Sequence, residues 1–289
     1  MATIVFFQTL LNALMLASLY SLIAVGLTLV FGVMHMINFA HGAFVMLGAY
    51  GTFFISTKLG LDYWPSLIFC FLAAGAAGSI IERFLYHRYW GQVLPCLVVA
   101  VGVTQILQNG SLIVFGITER SIDSIFPGVI SIFGLRFSFE RLMVIVIATG
   151  LIISLMIFLK TTKAGQAMRA VAQDYDAAAL QGVKCKQITM LAMFIGCGLA
   201  AIAGGIIAPV FAIHAYMGEP LLIKAFLIII LGGMGSIPGA ILAGLLVGFM
   251  ESFGMTYIGY YSQVLLFVFV ILVLIIRPTG LFSGIVFKI

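Results

Sequence analysis

Eight apolar stretches, separated by short polar connections, occupy most of the sequence: 5–31, 36–56, 64–81, 93–116, 142–159, 188–210, 221–250 and 262–276. A bilayer core asks for about 20 apolar residues per crossing helix, and these stretches meet or approach that length. A chain divided in this way can bury its apolar surface only in lipid or among its own spans. Composition agrees: of 289 residues, 63% are hydrophobic and 8% charged, where soluble domains carry about a quarter charged. The mean hydropathy is +1.26. These features predict an all-α polytopic membrane protein, one transmembrane domain over 1–289. They leave no length for a folded aqueous catalytic or nucleotide-binding unit, which would have to reside on another chain.

Charge orients the spans. The net charge is +5, and its densest concentration is the connection 160–187, where Lys160, Lys163, Arg169, Lys184 and Lys186 face Asp174 and Asp176. Cytoplasmic connections collect Lys and Arg, so this one is expected inside. Counting back places 82–92 inside, with 57–63, 117–141 and the N-terminus outside. The first apolar run lacks a cationic leader and is expected to be an uncleaved span. Lipid is the implied surroundings. No basic run or stacking platform recommends nucleic acid. The four cysteines lie apart without a CxxC pair and are expected to be reduced packing residues.

Two stretches break the apolar pattern with glycine. Residues 32–51 read GVMHMINFAHGAFVMLGAYG, setting His35, Asn38 and His41 at the start of the second span. Polar groups at membrane depth face the bundle interior or a cavity, so Asn38 and His41 are candidates to line a passage. The alternative is that His35 and Asn38 cap the second helix at the interface. Residues 221–250 would run about 45 Å as one straight helix, and GGMGSIPG at 232–239 predicts a break there. If both halves cross, Arg277 and Lys288 end inside. A shift of 200 residues aligns Gly32, Met34, Ile37 and Ala40 with Gly232, Met234, Ile237 and Ala240, a faint echo of the repeated halves seen in transporters. Small residues at four-residue spacing, Gly196/Ala200/Gly204 and Ala240/Gly244/Gly248, predict close helix packing.

Enzyme chemistry finds little footing. No carboxylate or thiol set accompanies the histidines, so no metal site is expected. Ser236 lacks a nucleophile-elbow context, and no catalytic residue is expected. Glu82, Glu219 and Glu251 read as span-end residues, which argues against proton or sodium coupling within the membrane. The driving force should come from elsewhere. The connection 160–187 suggests where: it is alanine-rich, Asp174 suits an N-cap ahead of Ala177–Leu180, and Gly182 suits the C′ position. A short helix pair at the membrane surface would serve as a lid or as a plug for a soluble partner.

Three blocks together carry a resemblance: GLTLVFGVMHMINFAHGAFVMLGAY (26–50), RAVAQDYDAAALQGV (169–183) and LGGMGSIPGAILAGLLVG (231–248). The segment from Asp176 to Gly182 resembles the E-A-A-x-x-x-G loop of ABC importer permeases, with aspartate for glutamate and without the later Leu-Pro. The whole chain resembles the H-type permease subunits of branched-chain amino acid ABC importers. That resemblance implies a bacterial inner-membrane protein that moves leucine, isoleucine or valine. Its partners would be a paralogous M-type permease, two cytoplasmic ATPases that bind ATP and magnesium, and a periplasmic binding protein. No cofactor would be held by this chain. The coupling loop 160–187 would contribute Arg169, Asp174, Asp176, Ala177, Ala178 and Gly182. Asn38, His41 and Gly42, with Gly232, Gly233, Gly235, Ser236, Pro238 and Gly239, would lie along the translocation pathway. Other small cargo in the same family (urea, amides, other amino acids) and a stand-alone secondary transporter are the alternative readings.

Overall fold

A computed structural model describes residues 2–123, 128–132 and 135–282; Lys288 lies outside them. The chain is helical almost throughout. In order come α1 (Ala2–Met34), α2 (His41–Phe53, prolonged by a π-helical turn Phe54–Lys58) and α3 (Tyr63–Ile81, prolonged through Glu82–Tyr86 and His87–Tyr89). These are followed by α4 (Val93–Phe115), a β1–β2 hairpin (Val129–Ile132, Leu135–Ser138), α5 (Phe139–Thr161) and the short α6 (Lys163–Gln173) and α7 (Tyr175–Leu180). The chain continues with α8 (Cys185–Ile207), α9 (Gly218–Gly232), α10 (Ile237–Tyr257) and α11 (Ser262–Ile276). Among the described residues, seven helices are long and apolar enough to cross a membrane. The apolar stretch 221–250 is two helices, α9 and α10, parted at 233–236.

In lipid, apolar side chains gain little by leaving the solvent, so tight packing must hold the bundle together. Helix α1 is its axis: 83% of its most apolar window is buried, against 17% for the window containing α11. Helix α10 runs antiparallel along α1, with Gly244 on Ser21 and Gly248 on Ala17. Helix α8 meets three neighbours through small residues. Gly196 faces Gly26 and Val30 of α1, Gly204 faces the Val45 carbonyl of α2 with the Ala201 backbone on Gly48, and Gly198 faces Phe71 of α3. The four-residue faces seen in the sequence are thus the contact faces of α8 and α10.

Three non-helical segments enter the bundle. In the first, α1 ends with His35 in the left-handed region (φ 53°), and residues 35–40 turn back along α1. The His41 Nε2 then lies 3.1 Å from the Ile23 carbonyl, about 16 Å of helix axis back from Met34. Helix α2 therefore starts mid-bundle. In the second, residues 208–217 follow α8 inward and deliver the start of α9 to the same depth, where Gly218 lies against Gly42. In the third, Gly233 (φ 90°) and Gly235 (φ 85°) turn the chain between α9 and α10. The Ser236 Oγ accepts from Gly239 N at 3.1 Å as the α10 N-cap, with Pro238 in the first turn. This turn lies against the end of α1 at Gly32.

A bulky residue at Gly48 has to displace the Ala201 backbone, whereas Gly102 on α4 has open space beside it. Overpacking of this kind costs about 1–3 kcal/mol or more. Gly48→Leu is expected to lower the melting temperature and the monodisperse yield in detergent, with Gly102→Leu close to wild type. Fluorescence-detected size exclusion across a temperature series measures both.

Candidate functional site

The residues singled out near the first break are consumed by holding it. The Asn38 Oδ1 accepts from Ala40 N and from the Tyr86 hydroxyl, each at 3.0 Å, and its Nδ2 points to Met193 Sδ at 3.8 Å. His41 is fully buried against Ile23, and Gly42 is the contact with Gly218. His35 is exposed and does not cap α2. At the second break, Gly232 and Gly239 sit backbone to backbone, Gly233 and Gly235 make the turn, and Ser236 and Pro238 start α10. These two groups meet at Gly32 and Gly235, and among the described residues Asn38 borders a small space with Met34, Met36 and Ile37.

The large cavity lies in the half of the bundle that holds the N-terminal part of α1. Its volume is about 560 Å³, and its walls come from α1 (Asn12 to Tyr20), the inward segment before α9, the start of α9, and the end of α10. Glu119 and Arg141 stand at its rim. The connection that carries Glu119 is tied to the inward segment by an antiparallel bridge between Arg120 and Ile213. The Arg141 Nη1 donates to Asn12 Oδ1. A second space of about 350 Å³ adjoins across His214, Pro220 and Lys224, between α9 and α11.

At the wall between the two spaces is a charged cluster. The Lys224 ammonium donates to the Tyr20 hydroxyl at 2.8 Å and to Glu251 Oε1, and it lies 4.9 Å from the Tyr20 ring centroid. The Lys224 and Glu251 side chains are 15% and 20% exposed, so the pair is largely withdrawn yet faces the cavity. The acids stand toward helix ends, as expected, but two of them are withdrawn from solvent. Glu251 lies in the C-terminal third of α10, and Glu82, just past the last residue of α3, is fully buried and accepts from Thr189 at 2.8 Å. Glu219, exposed in the first turn of α9, accepts from Gln108. Lys224 was visible as the one charged residue in 221–250. Nothing local pairs it with Glu251 or Tyr20.

The connection 160–187 folds as its caps prescribe. Thr162 Oγ1 accepts from Gly165 N at 3.0 Å, opening α6, whose Met168 and Val171 are buried against the bundle. Asp174 Oδ1 accepts from Ala177 N at 2.9 Å as the α7 N-cap. Gly182 (φ 82°) closes α7: Gly182 N donates to the Ala179 carbonyl and Val183 N to that of Ala178, the paired bonds of a Schellman ending. Ala178 faces inward while Asp176, Ala177 and Gln181 are exposed, and Leu180 is 87% exposed. Tyr175 packs against Trp90, ring centroids 4.8 Å apart and tilted by 40°, fastening α7 to the end of the prolonged α3. Arg169 sits at the buried side of α6, with no hydrogen-bond partner for its Nε among the described residues. No group of three or more His, Cys, Asp or Glu is arranged to hold a metal among the described residues.

A bundle of crossing helices with an internal cavity at one end and a capped, exposed helix pair at the other is the layout of a transport subunit. The family described as branched-chain amino acid transport system / permease component matches residues 9–276. The chain belongs to this family. Among its relatives, the high-affinity branched-chain amino acid transport system permease protein BraD of Pseudomonas aeruginosa is 36% identical, covering 96% of this chain and 95% of its own. The corresponding LivH protein of Escherichia coli K12 is 33% identical over the same shares. The Escherichia coli permease protein LivM is 26% identical, covering 92% of this chain and 68% of its own. Among solved structures, PsaBC from Streptococcus pneumoniae in complex with Fab aligns with TM-score 0.52 at 14% identity, over 94% of this chain and 92% of that one; this supports the fold. The family member described here is a multi-pass membrane permease and not itself an enzyme.

The Asn38–Tyr86 bond is the tie between the first break and α3. Removing one neutral hydrogen-bond partner costs about 1 kcal/mol, and more when the other is left buried and unpaired. Tyr86→Phe is expected to lower stability mildly, because Asn38 Oδ1 keeps Ala40 N. Asn38→Leu, which strands both the Tyr86 hydroxyl and the Ala40 N–H, should cost two- to threefold more. Thermal melting of the two purified variants measures the difference.

Proposed function

We propose that this chain is one of two permease subunits of an ATP-driven importer for branched-chain amino acids in a bacterial inner membrane. In this reading it pairs with a paralogous permease of the LivM kind. A periplasmic binding protein delivers the cargo, and two ATPase subunits, which bind ATP and magnesium, dock beneath. The observation that carries the reading is the pairing of a distal cavity with an exposed α7 whose ends are both closed by local bonds. A rigid short helix presenting Leu180 and Asp176 outward is suited to lie in a cleft of a moving soluble subunit.

The positive charge of 160–187 supports a cytoplasmic position for α6 and α7, in which the cavity faces outward, toward a delivering protein. Force applied to α7 reaches the bundle by two routes. One is the Trp90–Tyr175 contact at the end of the prolonged α3. The other is α6, which packs on α5, α8 and α1. Arg169, Asp174, Ala177, Ala178 and Gly182 keep the pair shaped for docking. The three breaks, including Asn38, His41, Gly42 and the turn 232–239, are where the helices can shift relative to one another along the pathway. The net effect is alternating exposure of the cavity, driven by the neighbouring ATPases.

Gly182→Val forces a β-branched residue into the left-handed region, and Asp176→Trp adds bulk on the exposed face. Both are expected to leave membrane insertion intact while cutting ATP-driven L-leucine uptake at least tenfold relative to ATP hydrolysis. Proteoliposomes of the complete complex, assayed for both activities, measure the ratio. Wild-type uptake in both variants would rule out docking through α7.

A further inference from the structure

The transport reading leaves one cluster unexplained. Lys224 and Glu251 form an ion pair inside a bundle whose spans are otherwise nearly free of charge. A buried pair is seldom a better stabiliser than apolar residues of the same size, so packing alone does not account for it. The pair also borders the 560 Å³ cavity, a size typical of small-molecule sites, about 300–1,000 Å³.

We propose that Lys224 and Glu251 form a receptor for the charged head of an aliphatic amino acid, Lys224 taking the carboxylate and Glu251 the ammonium. The inference rests on the transport reading and names the cargo site within it. Unused bonding capacity supports it. The ammonium of Lys224 has three protons, of which Tyr20 and Glu251 take two. The Glu251 Oε2 is buried and has no hydrogen-bond partner among the described residues, so the side chain must turn toward the cavity to offer it. An entering zwitterion supplies one carboxylate for the spare proton and, with the Glu251 side chain turned toward the cavity, one ammonium for its carboxylate. Each charge of the pair then keeps a counter-charge throughout, so neither is left bare in the low-dielectric interior. The wall beside the pair is apolar, with Met15, Leu16, Leu19, Leu221 and Met255. Such a surface accepts a branched aliphatic side chain. The Tyr20 hydroxyl holds Lys224 in place and fixes which end of the head lies where.

The test uses the assembled membrane and ATPase subunits in detergent without binding protein, and the same complex in proteoliposomes with it. L-leucine is expected to raise the melting temperature of the wild-type complex. The half-ligands 3-methylbutylamine, lacking the carboxylate, and 4-methylpentanoate, lacking the ammonium, are expected not to. Lys224→Met and Glu251→Gln should each abolish the leucine shift and lower L-leucine uptake at least tenfold. The charge-swapped variant K224E/E251K keeps an ion pair but reverses the head, which turns the aliphatic chain away from its wall. It should regain wild-type melting yet show neither the shift nor uptake. Recovery of both by the swapped variant would assign the pair to structure alone and overturn the proposal. So would a leucine shift absent from wild type, or matched by 4-methylpentanoate. A wild-type complex that fails to accumulate L-leucine with ATP would refute the transport reading, and the melting series would still decide the pair.

Discussion

Backbone that is not helical has no partner in hydrocarbon, and this single constraint organises the molecule. Each N–H or C=O left open to lipid costs several kcal/mol, so residues 35–40, 208–217 and the turn at 233–236 must be enclosed by other helices. The protein encloses them by centring the bundle on α1, which runs beside α8, α9 and α10. The glycine faces of α8 and α10 are a consequence. They bring the helix backbones close together, as at Gly204 on the Val45 carbonyl and Gly244 on Ser21, and the inward segments are sealed by further close contacts such as Gly42 on Gly218.

Enclosure of these segments divides the bundle along its length. Helices α2 and α9 both begin mid-bundle at Gly42 and Gly218 and depart in opposite directions, so the two halves of the protein are built from different elements. One half holds the cavity, walled by early α1, the start of α9 and late α10. The other is packed by the end of α1, residues 35–40 and the turn at 233–236, and it carries α6 and α7. A motion that separates the ends of α1 and α9 near Gly32 and Gly235 would open the packed half while drawing the cavity walls together. Short backbone turns allow such motion more readily than continuous helices, which makes the breaks the natural hinges.

What could be read from the sequence was what local chemistry determines. The crossing helices follow from run length, α7 from the Asp174 cap and Gly182, and the division of 221–250 from the glycines and Pro238. The inward course of 208–217 was not legible, because APVFAIHAYM carries no glycine or polar run to distinguish it from an ordinary connection. It is held by the bridge from Ile213 to Arg120, far away in the chain, and ends where Gly218 meets Gly42. The fate of Asn38 shows the same limit from the other side. Its polarity at depth was evident, but only the arrival of Tyr86 and Met193 decides that the amide holds backbone and side chains together inside the packed half.

The charged cluster follows the same logic at longer range. Tyr20 and Lys224 are 204 residues apart, and Lys224 and Glu251 are 27 apart across a break. Neither charge has a partner at helical spacing, so each alone looks like an expensive intrusion into lipid. Brought together, they neutralise one another at the boundary of the two spaces. A bundle that had merely to be stable would have filled these positions with leucine. Keeping two opposite charges at the boundary between two spaces, fastened by one tyrosine, is useful to a molecule whose cargo carries the same two charges and must shed water on the way through.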